Sequence, residues 1–389
     1  MRASVLTREW PPDVYGGAGV HVEQLVVHLA ALVDVDVQTF GVNREGALGH
    51  QVPANLRNAV SVLGVLAVDL QMCAAIEHSG ADIVHSHTWY TNFAGDLASR
   101  LMGVPHVITA HSLEPLRPWK AEQLGDGYRV SQWIEQSAYA QAAAIIAVSE
   151  GMARDIAAVY PQVDPLRVHV VHNGIDTVAV RPTADATALT QLGVDPHRPY
   201  VLFVGRITRQ KGIELLLAAA AHFDPAVQVV LIAATPDTPE LGDSVGRTIE
   251  RLQRARSGVF WVGEQVSRPD LLQFFSHATA FICPSIYEPL GIVNLEAMAC
   301  GTAVIASRVG GIPEVVADGR TGILLRSDPA AMDEYAAELA TTVNDLIADP
   351  QRAHRLGVAG RQRAVADFGW AAIAARTVDV YRSALEAAG

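Results

Sequence analysis

Two glutamates, Glu288 and Glu296, lie eight residues apart in an otherwise apolar stretch, PSIYEPLGIVNLEAMACGTAVIAS. Carboxylates are rarely buried unless a cation or a hydrogen-bond donor pairs with them. Pro289 disfavours helical backbone at the residue before it, so Glu288 is predicted to lie in a loop. The following helix is predicted to begin near residues 290–292, so Glu296 is expected some five residues into it, about 7 Å along the helix axis.

The unpaired N–H groups of this helix start lie between the two carboxylates. The arrangement suits a nucleotide-sugar, with its sugar hydroxyls near Glu288, its diphosphate on the N–H groups and its ribose hydroxyls at Glu296. The alternative is structural, in which both carboxylates cap or pair within the fold. The spacing alone leaves both interpretations open.

Two cations, Arg206 and Lys211, are five residues apart in FVGRITRQKGIELL, where a β-type segment passes into a helix. A bound diphosphate needs about two positive charges at such a position. The pattern therefore favours an anion site over a pair of solvated surface cations.

A glycine-rich turn containing Gly16 and Gly17 follows the first β-type segment in TREWPPDVYGGAGVHVEQL. Such a turn before a helix allows backbone N–H groups to approach a phosphate closely. A tight turn without a ligand is the alternative, because glycine also suits backbone with positive φ.

Four histidines, His85, His87, His111 and His172, are predicted to lie at the ends of different strands. A metal site is one alternative, but the chain has no HExxH or comparable ligand spacing. Contact with substrate hydroxyls, or simple packing, is therefore the favoured interpretation, and His85 is expected to face the core.

The segment after His111, SLEPLRPWKAEQLGDGYRV, carries three cations, Arg117, Lys120 and Arg129. Its composition leaves two alternatives, a site for a second anion and a solvated loop.

Short β-type segments alternate with amphipathic or alanine-rich helical stretches, as in parallel α/β folds. The predicted strands are ASVLT, VDVDVQTF, DIVHSH, HVITAH, AAIIAVS and VHVVHNG in the first half, and YVLFVGR, VQVVLIAA, VFWVG, AFICPS, AVIAS and GILLR in the second. Open parallel sheets bind ligands at the carboxyl ends of their strands, which is where the residues above are predicted to lie.

The 389 residues are too many for one ordinary core, so two domains are predicted. Residues 176–198 lack a strong period and are rich in Thr, Asp and Pro, which indicates a linker. We therefore predict an N-terminal domain over residues 1–175, a C-terminal domain over 199–369 and a final helix over 370–389.

Half of the residues are hydrophobic and 18% are charged, which is typical of a folded globular protein. The net charge of −12 disfavours nucleic acid and an acidic membrane surface as partners. The three cysteines lack a metal-binding pattern, no apolar run approaches the ~18 residues of a membrane span, and no signal peptide is apparent. We expect a reduced, cytoplasmic protein.

Four stretches together carry a family resemblance: GGAGVHVE, FVGRITRQKG, YEPLGIVNLEAMACG and ASRVGGIPEVVADGRTGIL. In this order they resemble the retaining GT-B glycosyltransferases of family 4 type, grouped with sucrose-phosphate synthase and the bacterial glycogen synthases. REWPPDVYGGAGVHVEQL and TAHSLEPLRPWKAEQLGDGY are most similar to the actinobacterial glycogen synthases, the α-maltose-1-phosphate synthases. The resemblance covers essentially the whole chain.

The resemblance implies an α/β fold of GT-B type, with two Rossmann-like, doubly wound parallel-sheet domains that face a cleft and a last helix that crosses back onto the N-terminal domain. It implies retaining transfer of glucose from ADP-glucose to glucose 1-phosphate, giving α-maltose 1-phosphate, or to an α-1,4-glucan end. It implies no enzyme nucleophile, no required metal and no other cofactor.

The resemblance also implies roles for single residues. The positions that match the family's catalytic residues are Glu288 at the donor sugar, Arg206 and Lys211 at the leaving diphosphate, and His111 on the sugar and acceptor side. The donor-binding positions are Gly16, Gly17, Leu290, Gly291 and Glu296. The nucleotide base of the donor is expected near Val262 and Gly263.

The acceptor-binding positions are expected to be His87, Arg117, Lys120 and Arg129. His87 matches the HxH position of glycogen synthases, but their following Asp is Thr88 here, which leaves the role of His87 open. The basic loop favours a phosphorylated acceptor.

Several alternatives stay open at this point. The acceptor could be inositol phosphate or fructose 6-phosphate, and the donor could be a UDP-sugar. An inactive sugar-binding protein is disfavoured because Glu288, Arg206 and Lys211 are all present. The oligomeric state is open, with a homodimer as one alternative.

Overall fold

The computed structural model describes residues 1–14, 16–326 and 331–388. The chain divides into two compact units, one formed by Met1–Gly174 with Trp370–Gly389 and the other by Ile175–Gly369. Each unit contains one wholly parallel sheet with helices between its strands.

The first unit contains a seven-stranded sheet. Its strands are β1 (Arg2–Thr7), β2 (Asp34–Phe40), β3 (Leu48–His50), β4 (Ile83–His87), β5 (His106–Ala110), β6 (Ala144–Ala147) and β7 (Val168–Val170). Its helices are α1 (Gly17–Leu29), α2 (Ser61–Ser79), α3 (Trp89–Met102), α4 (Lys120–Leu124), α5 (Gly127–Gln141), α6 (Glu150–Val159) and, from the end of the chain, α15 (Trp370–Ala388). The strand order is β3-β2-β1-β4-β5-β6-β7, so the order reverses between β1 and β4.

The second unit contains a six-stranded sheet. Its strands are β8 (Tyr200–Arg206), β9 (Gln228–Ala234), β10 (Val259–Val262), β11 (Ala280–Cys283), β12 (Ala303–Ser307) and β13 (Gly322–Leu325). Its helices are α7 (Thr187–Leu192), α8 (Ile213–Ala220), α9 (Pro239–Ala255), α10 (Arg268–His277), α11 (Ile292–Ala299), α12 (Ile312–Val315), α13 (Met332–Ala348) and α14 (Pro350–Asp367). The strand order is β10-β9-β8-β11-β12-β13, which reverses between β8 and β11.

The burial of the central strands explains their sequence pattern. All residues of β4, β5, β6, β11 and β12 are buried, as expected for parallel strands covered on both faces. The helices are one-sided instead: α15 packs Trp370, Ile373 and Tyr381 into a core cluster that also contains Leu25 and Leu29 of α1. These two patterns together confirm the predicted doubly wound α/β fold.

All twelve predicted strands are present, and the predicted final helix begins at Trp370 as α15. The strand β3 was missed, because its three residues, Leu48–His50, are too few to show an alternating pattern. The predicted linker is not a separate segment: residues 176–198 group with the second unit and include α7, whose Leu189 is fully buried.

Within the described residues, α2 is long and apolar enough to span a membrane by length and composition alone. The expectation from uninterrupted apolar runs missed it because Asp69 interrupts the helix. One such helix is weak support for a span, since buried core helices share this composition. Val68, Met72 and Ile76 of α2 pack into a core cluster with Leu6 and Val84 of the sheet.

Candidate functional site

In the second unit, Arg206 and Lys211 both follow the carboxyl end of β8, next to the reversal of strand order. Arg206 is the last residue of β8, and its guanidinium is 2.6 Å from Asp237 Oδ1. Lys211 ends a short 3₁₀ turn whose N-cap, Thr208, accepts a hydrogen bond from the Lys211 N–H. The residue after this turn, Gly212, has φ of +63° and passes so close to the Pro284 carbonyl that a Cβ would lie 2.0 Å from its oxygen.

Glu288 lies in the loop between β11 and α11, as predicted, and pairs with Lys211. The Lys211 ammonium donates to Glu288 Oε2 at 2.7 Å, and the Ser285 hydroxyl donates to the same oxygen at 3.2 Å. Burial is the largest influence and lowers the pKa of Lys211, but the charge and hydrogen bond of Glu288, together with Cys283, raise it overall. The Glu288 loop is supported by the segment that follows β12, because the N–H of Gly311 in that segment donates to the Glu288 carbonyl at 3.0 Å.

The helix α11 begins at Ile292 with Gly291 as its N-cap, at φ of +96°. In the described part of the chain, no acceptor meets the backbone N–H of Leu290 or Gly291. Glu296 lies one turn further along, and its Oε1 is 2.5 Å from the guanidinium of Arg268, the first residue of α10. Both glutamates are thus buried with a cation, and the N–H groups at the helix start lie between them in the chain.

Val262 and Gly263, predicted to lie near the base, are placed at the end of β10. This strand is separated from β8 by β9. Their loop lies at the carboxyl edge of the same sheet, where Gly263 is exposed beside the Trp261 ring. The structure therefore brings Arg206, Lys211 and Glu288 together and places these two residues at the periphery.

In the first unit, the structure joins three histidines into one cluster. His87 is the last residue of β4, His111 directly follows β5, and His21 comes from the middle of α1. His87 Nδ1 is 3.0 Å from His111 Nε2, and one nitrogen from each of the three rings lies within 4.8 Å of the others. The cluster is one that could hold a metal ion.

Burial keeps these imidazoles neutral. It lowers the pKa of His21 and His87 well below the usual histidine value, and the neighbouring histidines lower it further. Burial also lowers the pKa of His111 to about 3. His85 lies in the core, as predicted, where its ring nitrogens are 2.7 Å from Tyr381 Oη and from Thr109 Oγ1.

Gly16 and Gly17 form the predicted turn, with Gly16 as N-cap and Gly17 as first residue of α1. The Gly16 N–H donates to Glu9 Oε2 at 2.9 Å. A Cβ at Gly19 would lie 2.5 Å from the same carboxylate oxygen. A carboxylate of the chain itself therefore lies at the helix start that was predicted to meet a phosphate.

The basic loop is partly structural. The Arg117 guanidinium forms an ion pair with Glu114, which is fully buried, and Lys120 donates a hydrogen bond to Gln123. Arg129 is exposed on α5. The three predicted cations thus differ in setting, and Arg117 is paired with a fully buried carboxylate.

Sequence reasoning missed five residues of these sites: Glu9, His21, Asp237, Arg268 and Glu114. Each is a partner of a predicted residue. Glu9, Asp237 and Arg268 lie in the connections that follow β1, β9 and β10, so the rule that ligand-binding residues follow strands could have found them. His21 in particular sits in the amphipathic pattern VHVEQLVVHL, which indicates only a helix face. For Glu114, the pattern E-x-x-R with Arg117 gives a local signal.

Comparisons with known proteins agree with this geometry. Residues 15–179 match the family described as Glycosyltransferase Family 4, and residues 184–363 match Glycosyl transferases group 1. The chain is 56% identical to alpha-maltose-1-phosphate synthase of Mycolicibacterium smegmatis over 98% of this chain and 99% of that protein. It is 32% identical to D-inositol 3-phosphate glycosyltransferase of Segniliparus rotundus over 88% of this chain and 73% of that protein.

Among solved structures, sucrose-phosphate synthase from Thermosynechococcus elongatus is similar, with a TM-score of 0.85, 26% identity and 99% of each chain covered. The same family is indicated by the two parallel sheets, by the charged residues at their carboxyl edges and by the similarity to these proteins. The chain therefore belongs to the group 1 glycosyltransferases of family 4 type, has the GT-B fold and is a glycosyltransferase.

Proposed function

We propose that the chain transfers glucose from ADP-glucose to glucose 1-phosphate with retention of configuration, giving α-maltose 1-phosphate. The observation that carries this proposal is the 56% identity, over nearly the full length of both chains, to an alpha-maltose-1-phosphate synthase. Transfer to an α-1,4-glucan end is a second activity that the same site would support.

The donor residues are proposed to be those of the second unit. Lys211 and Arg206 would neutralise the diphosphate as its bond to glucose breaks, because charge that develops on a leaving group is stabilised best by cations already in place. The N–H groups of Leu290 and Gly291 offer further donors at a helix start. Glu288 would hold the sugar hydroxyls.

Glu296 would hold the ribose hydroxyls, and the base would lie near Val262 and Gly263. Glu296 is suited to this role because its carboxylate, 2.5 Å from Arg268, is charged yet largely removed from solvent. A hydrogen bond from a hydroxyl to such an ionised acceptor contributes about 1.5–3 kcal/mol.

The acceptor residues are proposed to be His111 and His87, with Arg117, Lys120 and Arg129 for the acceptor phosphate. Neutral imidazoles can both donate and accept, which suits sugar hydroxyls. Gly16 and Gly17 would meet the diphosphate only if the Glu9 carboxylate left the Gly16 N–H.

We propose a same-face substitution without an enzyme nucleophile. The bond between the glucose C1 and the β-phosphate oxygen breaks, and the acceptor 4-hydroxyl oxygen bonds to C1 from the same face. The hydroxyl proton passes to the departing phosphate oxygen, so the products are ADP and α-maltose 1-phosphate. No metal is required in this scheme, because the cations of the chain carry the leaving-group charge.

The decisive assay is nucleotide release from ADP-glucose or UDP-glucose in the presence of glucose 1-phosphate, D-inositol 3-phosphate, fructose 6-phosphate or maltose. We expect ADP release that depends on glucose 1-phosphate, an α-anomeric product by NMR, and no loss of turnover with EDTA. Turnover confined to a UDP-sugar with another acceptor would overturn the proposal. Inositol 3-phosphate is included because a relative with that specificity in its name is 32% identical.

A further inference from the structure

His21, His87 and His111 come from a helix and from the ends of two strands, yet their rings meet in the first unit. One nitrogen from each lies within 4.8 Å of the other two. We propose that these three histidines form a binding site for a divalent transition-metal ion, for which Zn²⁺ is the best match.

The separations between the rings are close to those that one ion needs. Zn²⁺ binds histidine nitrogens at about 2.0–2.1 Å in tetrahedral geometry, so two ligating nitrogens lie about 3.4 Å apart. His87 Nδ1 and His111 Nε2 are 3.0 Å apart, and the His21 ring centroid is 4.7 Å from that of His111. Separations of up to 4.8 Å must therefore close by up to about 1.4 Å when an ion binds.

The unpaired nitrogens of the cluster point to a missing ligand. Neither ring nitrogen of His21 makes a hydrogen bond of good geometry among the described residues, although the nearby Asn173 side chain interacts with the ring, and Nε2 of His87 has no partner among these residues either. His21 is 2% exposed and His87 is 1% exposed. A buried polar group without a partner costs about 1–3 kcal/mol, so an ion would supply the interaction that the His21 ring lacks. At the other two rings it would replace the hydrogen bond between His87 Nδ1 and His111 Nε2.

His85 illustrates the difference between a packed histidine and a candidate ligand. Both of its ring nitrogens are 2.7 Å from hydroxyl groups, those of Tyr381 and Thr109. It is as buried as His87 but has no nitrogen available for an ion. The proposal is therefore limited to the rings of His21, His87 and His111, of which His21 and His87 keep ring nitrogens without a partner among the described residues.

The cluster also has the access that metal binding requires. His111 is partly exposed, which leaves a route for the ion and a fourth position for water. The Trp370 ring lies edge-on to His21 at 5.3 Å and restricts its rotation away from the cluster.

The donor set selects the class of ion. Three imidazoles suit Zn²⁺, Cu²⁺, Ni²⁺ or Co²⁺, whereas Mg²⁺ and Ca²⁺ prefer oxygen ligands. The group found among the described residues contains no carboxylate. Binding of Mg²⁺ at this position is therefore not expected.

One consequence rests on the proposed function. If His111 and His87 contact the acceptor, an ion held by their nitrogens competes with the acceptor. Zn²⁺ should then raise the apparent KM for glucose 1-phosphate and leave the KM for ADP-glucose unchanged.

The test uses Co²⁺ as a spectroscopic probe of the zinc site in the full-length chain. We expect one Co²⁺ per chain with visible absorption bands of tetrahedral type, and displacement by Zn²⁺. His21→Gln and His111→Gln should each weaken Co²⁺ binding by at least about 100-fold, because loss of even an outer-shell partner of a ligand costs about 10–100-fold in metal affinity. His354→Gln, at an exposed position of α14, is the matched control and should bind like the wild type.

The proposal is overturned if the wild type shows no stoichiometric Co²⁺ binding, or if both cluster variants bind as tightly as the wild type. Circular dichroism reports whether each variant folds, and the partly exposed His111 decides the question if the His21 variant does not fold. Because Co²⁺ absorption does not depend on turnover, metal binding without any glucosyl transfer would contradict only the proposed function.

Discussion

Substitutions in the ion pair between Lys211 and Glu288 can distinguish a structural role of Lys211 from a catalytic one. Lys211→Met removes the cation but keeps most of the side-chain volume. The variant leaves the buried Glu288 carboxylate with the Ser285 hydroxyl as its remaining side-chain donor. We therefore expect it to lose both stability and turnover, for two different reasons.

The magnitude of the stability loss follows from the geometry. At 2.7 Å the gross attraction is about 6 kcal/mol for an effective dielectric constant of ~20, and desolvation of both groups offsets much of it. Removing one partner of a buried pair costs about 3–5 kcal/mol. The Lys211 side chain is 23% exposed, so the lower end, about 3 kcal/mol, is expected.

The loss of turnover has its own magnitude. If Lys211 stabilises charge on the departing diphosphate, its removal should lower kcat by about 10²–10³-fold, as for other preorganised electrostatic groups. The double variant Lys211→Met/Glu288→Gln removes both charges and avoids an uncompensated carboxylate. It should recover most of the stability, measured by urea unfolding, but none of the lost kcat.

Two results would refute this reasoning. A fall in kcat of less than tenfold in the single variant would exclude Lys211 from leaving-group stabilisation. Recovery of turnover together with stability in the double variant would show that Lys211 acts only by pairing with Glu288. Steady-state kinetics with saturating ADP-glucose distinguishes these outcomes.

Three further predictions test other parts of the molecule. Glu296→Gln should raise the KM for the nucleotide-sugar by about 10–100-fold with little change in kcat, because a ribose contact acts equally in the ground and transition states. A lower kcat at unchanged KM would contradict this role. Gly310→Ala places a Cβ 2.0 Å from the Glu288 carbonyl oxygen and should therefore lower stability. Gly319→Ala is the matched control, because Gly319 also has positive φ but nothing lies within 4 Å of its added Cβ, so that backbone strain alone costs about 1 kcal/mol. The Gly310 variant should lose clearly more stability than this control, and equal unfolding midpoints would refute the steric account. Burial lowers the pKa of His106 to about 3, so the unfolded chain binds a proton below pH ~6.5 that the folded chain does not, and stability falls as the pH drops through this range. His106→Gln should therefore lose about 1.4 kcal/mol less than the wild type between pH 7.5 and 5.5. Identical losses would show that folding does not lower the pKa of His106.

Much of the fold was predictable because it depends on local patterns. Buried parallel strands read as continuous apolar runs, and helix starts follow proline and glycine, so Glu288 was assigned to a loop and Glu296 to a helix correctly. The strand Leu48–His50 was missed because three residues are too few to show a hydrophobic pattern. Residues 176–198 were predicted to form a linker, but they group with the second unit, where Leu189 is buried by contacts that the local sequence does not encode.

The sequence by itself determined the order of strands and helices and the positions of the charged residues at strand ends, since backbone preference and hydrophobic period act over a few residues. Only the tertiary structure decided which charges meet: Lys211 with Glu288 across 77 residues, and Arg268 with Glu296 across 28. It also brought His21, from an ordinary helix face, against two strand-end histidines. Such pairings depend on how strands align in a sheet and how helices pack against it, and neither is written in local spacing.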